Sequence, residues 1–435
     1  MTSTMRSDSS SAIPDTAAAQ RRVLRSLVAS QVLSGAGLAA GVTVGALLAQ
    51  EMLGSTGLAG LPSALLTAGA AVAAVLVGRV SQSGGRRRGL ALGYLTGAVG
   101  SGGVVVAAVL DLPALLFVAL FVYGAGTATN LQARYAGGDL APPERRGRAV
   151  STVLVATTLG GVAGPNLVAP SGSFAAAVGA PELAGPFLLA GAAYALAAAV
   201  LTLTLRPDPL LLARSVAEAA ERETGVRETG ERQTASTSRR TAPSGDDAPG
   251  GSGTPTVVTG ATVMVLTQLV MVAVMTMTPV HMHEHGHTTA ASGLVIAVHI
   301  AAMYLPSPVT GRLVDRYGSM PVATASGGTL LAAGALAALA PGDSVVLLAA
   351  ALALLGLGWN FGLLSGTAII TDTVPLATRA RTQGTVDVSV AVAGATGGMS
   401  SGLVMATAGF PVLALAGGAL ALAVIPAVVL SARRR

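Results

Sequence analysis

The chain contains no cysteine and no lysine; all 26 of its basic residues are arginine. The first absence removes disulfides, thiolate metal sites, iron–sulfur clusters and cysteine nucleophiles. The second removes the P-loop lysine, the Schiff-base lysine of pyridoxal and retinal proteins, and any lysine nucleophile. An ATP-driven pump of the Walker type and a rhodopsin are thereby excluded. Charge is also scarce. Only 11% of the 435 residues are charged, against roughly 25% in soluble domains. Aromatic residues make up 3%. What remains is 52% hydrophobic, with a mean hydropathy of +0.68. This is too apolar for a water-facing surface and points to a chain that crosses a membrane many times.

Uncharged apolar runs long enough to span a bilayer number twelve. They are Ser26–Ala49, Gly57–Val77, Gly89–Leu110, Leu112–Leu131, Val150–Val168, Leu183–Leu205, Val257–Val280, Ala290–Val309, Pro321–Ala340, Val345–Thr367, Gly384–Thr407 and Phe410–Leu430. With the N-terminus in the cytoplasm, every arginine falls on the cytoplasmic side. The charged and imidazole groups of the opposite loops are only Glu51, Asp111, Glu182, His281 to His287 with Glu284, and Asp343. The net charge of +6 therefore reports membrane topology and not affinity for nucleic acid. The expected organisation is a disordered cytoplasmic N-terminus (1–20), a six-helix bundle (21–205), a largely disordered cytoplasmic linker (206–256), a second six-helix bundle (257–430) and a basic cytoplasmic tail (431–435). Within the linker, Pro209–Glu221 reads as a short amphipathic surface helix.

The two bundles repeat each other. Gly78 and Gly311 open similar loops, GRVSQSGGRRRGL and GRLVDRYGSMPVA. At the same spacing, Asp139, Pro142, Arg146 and Arg148 correspond to Asp372, Pro375, Arg379 and Arg381, so D-x-x-P-x-x-x-R-x-R occurs twice. Gly164 corresponds to Gly397. Two parallel six-helix repeats imply a pseudo-twofold axis along the membrane normal and a site between the halves.

These residues resemble the major facilitator superfamily, whose loop motif between spans two and three is G-x-x-x-D-x-x-G-R-[RK]. Gly78, Gly85, Arg86 and Arg87 match it, and Gln82 stands where the family has an acid. The echo between spans eight and nine keeps Gly311, Asp315 and Gly318 but has Ser319 and Met320 in place of the cations. The run GGVAGP, with Gly164 and Pro165, resembles the Gly-Pro motif of the family's proton-coupled antiporters. The resemblance implies an all-α membrane protein of twelve transmembrane helices in two pseudo-twofold-related six-helix bundles. It also implies rocker-switch alternating access with no cofactor beyond a proton gradient, and efflux of a small organic or amphipathic compound. The expected partners are that small-molecule substrate and the lipid bilayer, with no nucleic acid, and the expected state is a monomer.

Polar groups inside spans are costly against lipid and belong on water or protein. Gln31, Asn130, Asn166, Gln268, His299, Trp359, Asn360 and Asp387 lie in spans one, four, five, seven, eight, ten and eleven. In the family that the chain resembles, spans three, six, nine and twelve are peripheral, and these hold none of the eight. Gln31, Asn130, Asn166, Gln268, Trp359 and Asn360 are thus candidates to line a central cavity, or else to hold the bundles together through interhelical hydrogen bonds. Asp387 is the one carboxylate inside a span. It is read either as a proton carrier or as the latch partner of Arg86 and Arg87, replacing the acid lost at Gln82. By the same symmetry, Asp315 is expected to face the start of span five near Arg146 and Arg148. His299 is an alternative proton carrier, since imidazole titrates near pH ~6.5. Pro165 and Pro306 are expected bend points.

The loop VHMHEHGHTT alternates His281, His283, His285 and His287. In an extended strand the four imidazoles would share one side and suit nickel, zinc or copper. A transition-metal exporter is therefore one alternative function, and a non-transporting membrane sensor or scaffold acting through 206–256 is another. The run Gly398 to Gly402 fits the hydrolase pattern G-x-S-x-G, but it lies in an apolar helix with no histidine partner, so no enzyme is expected.

Overall fold

The structure, a computed structural model, describes residues 16–53, 61–235 and 253–432. Every regular element among the described residues is a helix. The first half comprises α1 (Thr16–Leu53), α2 (Leu61–Gly84), α3 (Arg86–Leu110), α4 (Pro113–Gly138), α5 (Arg146–Asn166), α6 (Val168–Ala177) and α7 (Gly185–Thr204). A linker helix, α8 (Pro209–Ala235), follows. The second half comprises α9 (Gly253–Glu284), α10 (Thr289–Tyr304), α11 (Ser307–Tyr317), α12 (Ser319–Leu339), α13 (Val345–Thr373), α14 (Arg379–Ala421) and α15 (Val424–Ala432). Helices α5 with α6, and α10 with α11, each make one interrupted crossing. Helix α14 makes two, because the chain reverses at Gly409, where φ is 81°. Each half thus crosses six times. In a bilayer the backbone must satisfy its own hydrogen bonds, which is why apolar runs of this length become helices.

Each half has its own core. In the first, Tyr94 stacks on Tyr194 at 5.8 Å and Tyr123 meets Phe187 edge-on at 5.5 Å. The second is mostly aliphatic, built from residues such as Leu330, Leu348, Leu352 and Ile370. Val99, Leu203 and Val346 are more than half exposed, as a lipid-facing surface requires.

The halves touch at two pseudo-equivalent junctions, α2 against α14 and α5 against α11. Both lie at the arginine-rich end, and both depend on glycine. A Cβ on Gly78 would sit 2.8 Å from the Ala380 carbonyl oxygen; one on Gly311 would sit 2.6 Å from the Gly147 oxygen. The turns that follow α2 and α11 match as well, with φ of 88° at Gly85 and 87° at Gly318, a conformation that favours glycine.

Several expectations need correction. Span four does not end at Leu131: α4 continues to Gly138 and carries Arg134 inside the bundle, fully buried. Not every arginine is therefore a loop residue. The linker helix α8 runs past Glu221 to Ala235, while 236–252 lie outside the described residues. The histidine-rich segment is not extended, because α9 continues through Glu284. The crossing at α10 and α11 breaks at Pro306, as its missing N–H requires. The other interruption falls at Leu167, just past Pro165.

Candidate functional site

Between the halves lies a cavity of about 390 Å³. Helix α4 contributes Thr127 and Asn130, α9 contributes Gln268, α10 Tyr304, α13 Trp359 and α14 Asp387. The Trp359 indole N–H donates to Gln268 Oε1 at 2.7 Å, and the Tyr304 ring stands edge-on to the indole at 5.7 Å. This holds one flat apolar wall rigid. The Gln268 amide nitrogen keeps no partner among the described residues and borders the cavity. Asn130 is anchored by donating to Ser34 Oγ at 2.8 Å.

Asp387 sits at the cavity's deep end, two turns into α14 from the arginine-rich end. Its Oδ1 accepts from Arg134 Nη2 at 2.8 Å and from the Tyr135 hydroxyl at 3.0 Å. Its Oδ2 is buried and has no partner among the described residues. Arg134 also donates to the Leu131 carbonyl, to the Tyr135 hydroxyl at 2.8 Å and, through Nε, to Thr367 Oγ1 at 3.1 Å. Its guanidinium lies 4.2 Å from the centre of the Tyr135 ring. Arg134 belongs to the first half, whereas Asp387 and Thr367 belong to the second. Arg134 and Thr367 are equivalent positions of the two repeats, at the spacing that relates Gly78 to Gly311, so their contact lies on the pseudo-twofold axis. A charge buried this deeply is costly unless it is paired and hydrogen-bonded, as Arg134 is.

Asp387 is thus not the partner of Arg86 or Arg87. Arg86 donates to Asp139 through Nε at 2.7 Å and to Gln383 Oε1 at 2.5 Å. The backbone N–H of Arg87 donates to Asp208 at 2.8 Å. The start of α14 is held by Gln82 itself. Its Oε1 accepts from the N–H groups of Ala380 and Arg381 at 2.8 and 3.3 Å, and its amide donates to the Leu376 and Ala377 carbonyls. An amide does the capping that an acid does elsewhere, and it adds donor bonds that an acid could not make. Asp315 does face α5. It accepts from the N–H groups of Gly147 and Arg148 at 2.7 and 3.1 Å and forms an ion pair with Arg148 Nε at 3.3 Å.

The missing cations of the second repeat have a visible consequence. Asp139 is paired by Arg86 of its own half, but α12 begins with Ser319 and Met320 and offers Asp372 nothing. Asp372 instead takes Arg146 from the other half.

The remaining sequence candidates separate. Gln31 is a strut of the first half: its amide donates to the Asn130 carbonyl at 3.1 Å and Thr157 Oγ1 at 2.9 Å, and its carbonyl accepts from the Tyr94 hydroxyl. Asn360 is the strut at the helix break, donating to the Met303 carbonyl and Ser307 Oγ, each at 2.7 Å. Neither lines the cavity, because each spends its polar atoms inside one half. The side chains of Asn166, Gly164 and Pro165 lie outside the described residues. His299 is buried between α10 and α13, with Nδ1 on the Leu352 carbonyl at 2.8 Å and Nε2 unpartnered among the described residues, and it does not line the cavity.

The four loop histidines do not converge. In a helix, positions two apart point to different sides. His281 lies between His285, at 4.3 Å, and Phe410, at 4.4 Å, while His287 bonds the Gly342 carbonyl and His283 is exposed. Among the described residues, no three His, Cys, Asp or Glu side chains are placed to hold a metal ion.

Sequence reasoning missed Arg134, Tyr135 and Gln383. The polar Gln132 and Arg134 made the apolar run end early. The repeat spacing, which places Arg134 opposite Thr367, was the available signal.

Comparison with known proteins places this geometry. Residues 27–361 and 258–435 match the family described as the Major Facilitator Superfamily. The chain is 56% identical over 414 residues to the uncharacterised MFS-type transporter YdeG of Bacillus subtilis (strain 168), covering 95% of this chain and 93% of that protein. It is 28% identical over 383 residues to the riboflavin transporter RfnT of Brucella anthropi, covering 85% and 86%. Among solved structures, the human organic anion transporter MFSD10 superposes with a TM-score of 0.71 at 16% identity, over 94% of this chain and 99% of that one, a likeness of fold alone. The chain belongs to the Major Facilitator Superfamily: it is a multi-pass membrane protein and a secondary transporter, not an enzyme.

Proposed function

We propose that the protein exports a small, flat, uncharged organic compound across the cell membrane in exchange for protons. The arginine-rich end, and with it both termini, lies in the cytoplasm by the positive-inside rule. The halves meet at that end, so the cavity is in its outward-facing arrangement. One chain supplies both walls of the cavity, so a monomer suffices.

The observation that carries the reading is the Arg134–Asp387 pair, which joins the halves at the cavity floor with one carboxylate oxygen unpartnered among the described residues. While Asp387 is ionised, it draws Arg134 across the axis and keeps the cytoplasmic side shut. A proton arriving from outside through the cavity neutralises the carboxylate, the hold on Arg134 weakens, and the halves part on the cytoplasmic side. The proton leaves to the cytoplasm, substrate enters the cavity, and re-ionised Asp387 closes the floor and turns the loaded cavity outward. Proton and substrate thus occupy opposite half-cycles, which is antiport. The GGVAGP run, similar to the family's antiporter motif, supports the same direction.

The substrate class follows from the wall chemistry. Trp359 and Tyr304 offer aromatic faces, and Gln268 and Asn130 offer amides. The ion pair has no net charge. A heteroaromatic compound with hydrogen-bonding edges fits these groups, and the relative RfnT is a riboflavin transporter. The metal-exporter reading loses its support because the histidines do not converge. The scaffold reading has no observation in its favour beside a cavity and a family of transporters.

The test uses everted vesicles with an imposed pH gradient and a panel of flavins, dyes and antibiotics. Uphill movement of at least one heteroaromatic compound is expected, and Asp387→Asn is expected to abolish gradient-driven accumulation while leaving substrate exchange at equal pH. Undiminished uphill transport by Asp387→Asn removes the coupling role.

A further inference from the structure

A second pocket, of about 690 Å³, opens at the arginine-rich end. Its walls come from the start of α1, the α4–α5 connection, the linker helix α8, and the α13–α14 connection of the other half. Five guanidinium groups line it: Arg21, Arg145, Arg146, Arg148 and Arg379. The lining offers one carboxylate, Asp139, and Arg86 already holds it. Arg146 and Arg148 have partners in Asp372 and Asp315, although Arg146 Nε is buried without one among the described residues. Arg21 and Arg145 form no ion pair among the described residues and are exposed to water, which compensates them at little cost.

Arg379 is different. It is only 7% exposed, and its one side-chain hydrogen bond among the described residues runs from Nε to the Val374 carbonyl at 3.1 Å. It forms no ion pair among the described residues. A buried cation with no carboxylate in contact is expensive; Asp139 and Asp372 lie near enough to offset part of the cost, and the neighbouring guanidinium groups of Arg146 and Arg86 add to it. An anion entering the pocket would relieve both. Guanidinium forks match phosphate oxygens in pairs, and several around one pocket favour a multiply charged group over a single carboxylate.

We propose that this pocket binds a phosphate-bearing anion and that binding holds the cytoplasmic side closed. The second part follows from the walls. Arg379 belongs to the second half and Arg21 and Arg145 to the first, so an anion touching both clamps the halves together, and the second half's share of the pocket, Leu376 and Arg379, is in place only while they are together. The phosphate can come from an anionic phospholipid headgroup of the adjacent leaflet or from a soluble polyphosphate.

The chain has no cysteine, so a pair can be introduced cleanly. Ser83→Cys and Tyr317→Cys place spin labels on exposed positions of opposite halves at this end. The labelled full-length protein is placed in neutral phosphatidylcholine nanodiscs, and the distance distribution is recorded with inorganic pyrophosphate added, or with phosphatidylglycerol replacing part of the lipid. The short-distance population is expected to rise at least about threefold in one arm or both, and Arg21→Ala with Arg145→Ala to cut the response about tenfold. Arg21→Lys with Arg145→Lys, which keeps the charge and reports on folding, is expected to retain most of it. A response to pyrophosphate assigns a soluble ligand, and one to phosphatidylglycerol alone a headgroup. No response in either arm, or an undiminished one in the double alanine variant, overturns the proposal.

Discussion

The two junctions between the halves are built on one plan and finished differently. At one, Asp315 caps the start of α5; at the other, the equivalent Gln82 caps the start of α14. The capped N–H groups, Gly147 and Arg148 against Ala380 and Arg381, are themselves repeat equivalents. The acid gains from the helix dipole. The amide gains less from charge but makes bonds in both directions. The neutral junction also has a brace from α8 that the charged one lacks among the described residues. Arg214 of α8 donates to the Gln82 carbonyl at 2.9 Å and to the Leu376 carbonyl at 3.3 Å, touching both halves at once. Where the capping acid is absent, hydrogen bonds from the linker's Arg214 side chain to main-chain carbonyls do part of its work. The junctions therefore differ in what can disturb them: salt should act on one and linker changes on the other.

The spin-label pair above can test this, and the largest effect should come from what the junctions share. Gly78→Leu and Gly311→Leu each drive a side chain into the facing backbone, and overpacking of about 3 kcal/mol would reduce the closed population about a hundredfold. If only one of them opens the protein, the junctions do not act in parallel. Next, Asp315→Ala should shift the equilibrium toward opening by about 1–2 kcal/mol, and Gln82→Ala by less, because Arg214 still bridges. Adding Arg214→Ala to Gln82→Ala should remove that difference. Smaller again, Gln82→Glu should gain about 0.5 kcal/mol from the α14 dipole at low salt but lose the donor bonds to the Leu376 and Ala377 carbonyls, so that the net shift is about 0.5 kcal/mol toward opening and grows when about 1 M salt erases the dipole gain. A salt-independent shift would mean that the dipole does not contribute. Smallest, His283→Ala, which changes an exposed residue at neither junction, should alter stability by less than about 0.5 kcal/mol. Calorimetric titration with zinc or nickel should show no binding that this substitution removes.

The bundle architecture was legible because lipid imposes a simple rule: apolar length makes a span, and arginine marks one side. The repeat was legible because glycines and prolines at matching positions meet matching backbone demands, as at Gly85 and Gly318. The cavity was legible in part. Asn130, Gln268, Trp359 and Asp387 line it, whereas Gln31 and Asn360 are equally polar and equally intramembrane but turn inward to satisfy groups of their own half. Nothing in a residue's type or span decides between those fates, since both remove a polar atom from lipid.

The amino-acid sequence by itself determined the number of spans, their grouping in two repeats and the side on which arginine gathers, because hydropathy and charge act through local composition. Only the tertiary structure decided the pairings. Arg134 found Asp387, Asp372 crossed to Arg146, and Gln82 took the place of an acid, because each buried polar group answers to whichever partner the packing of distant helices brings within hydrogen-bond reach.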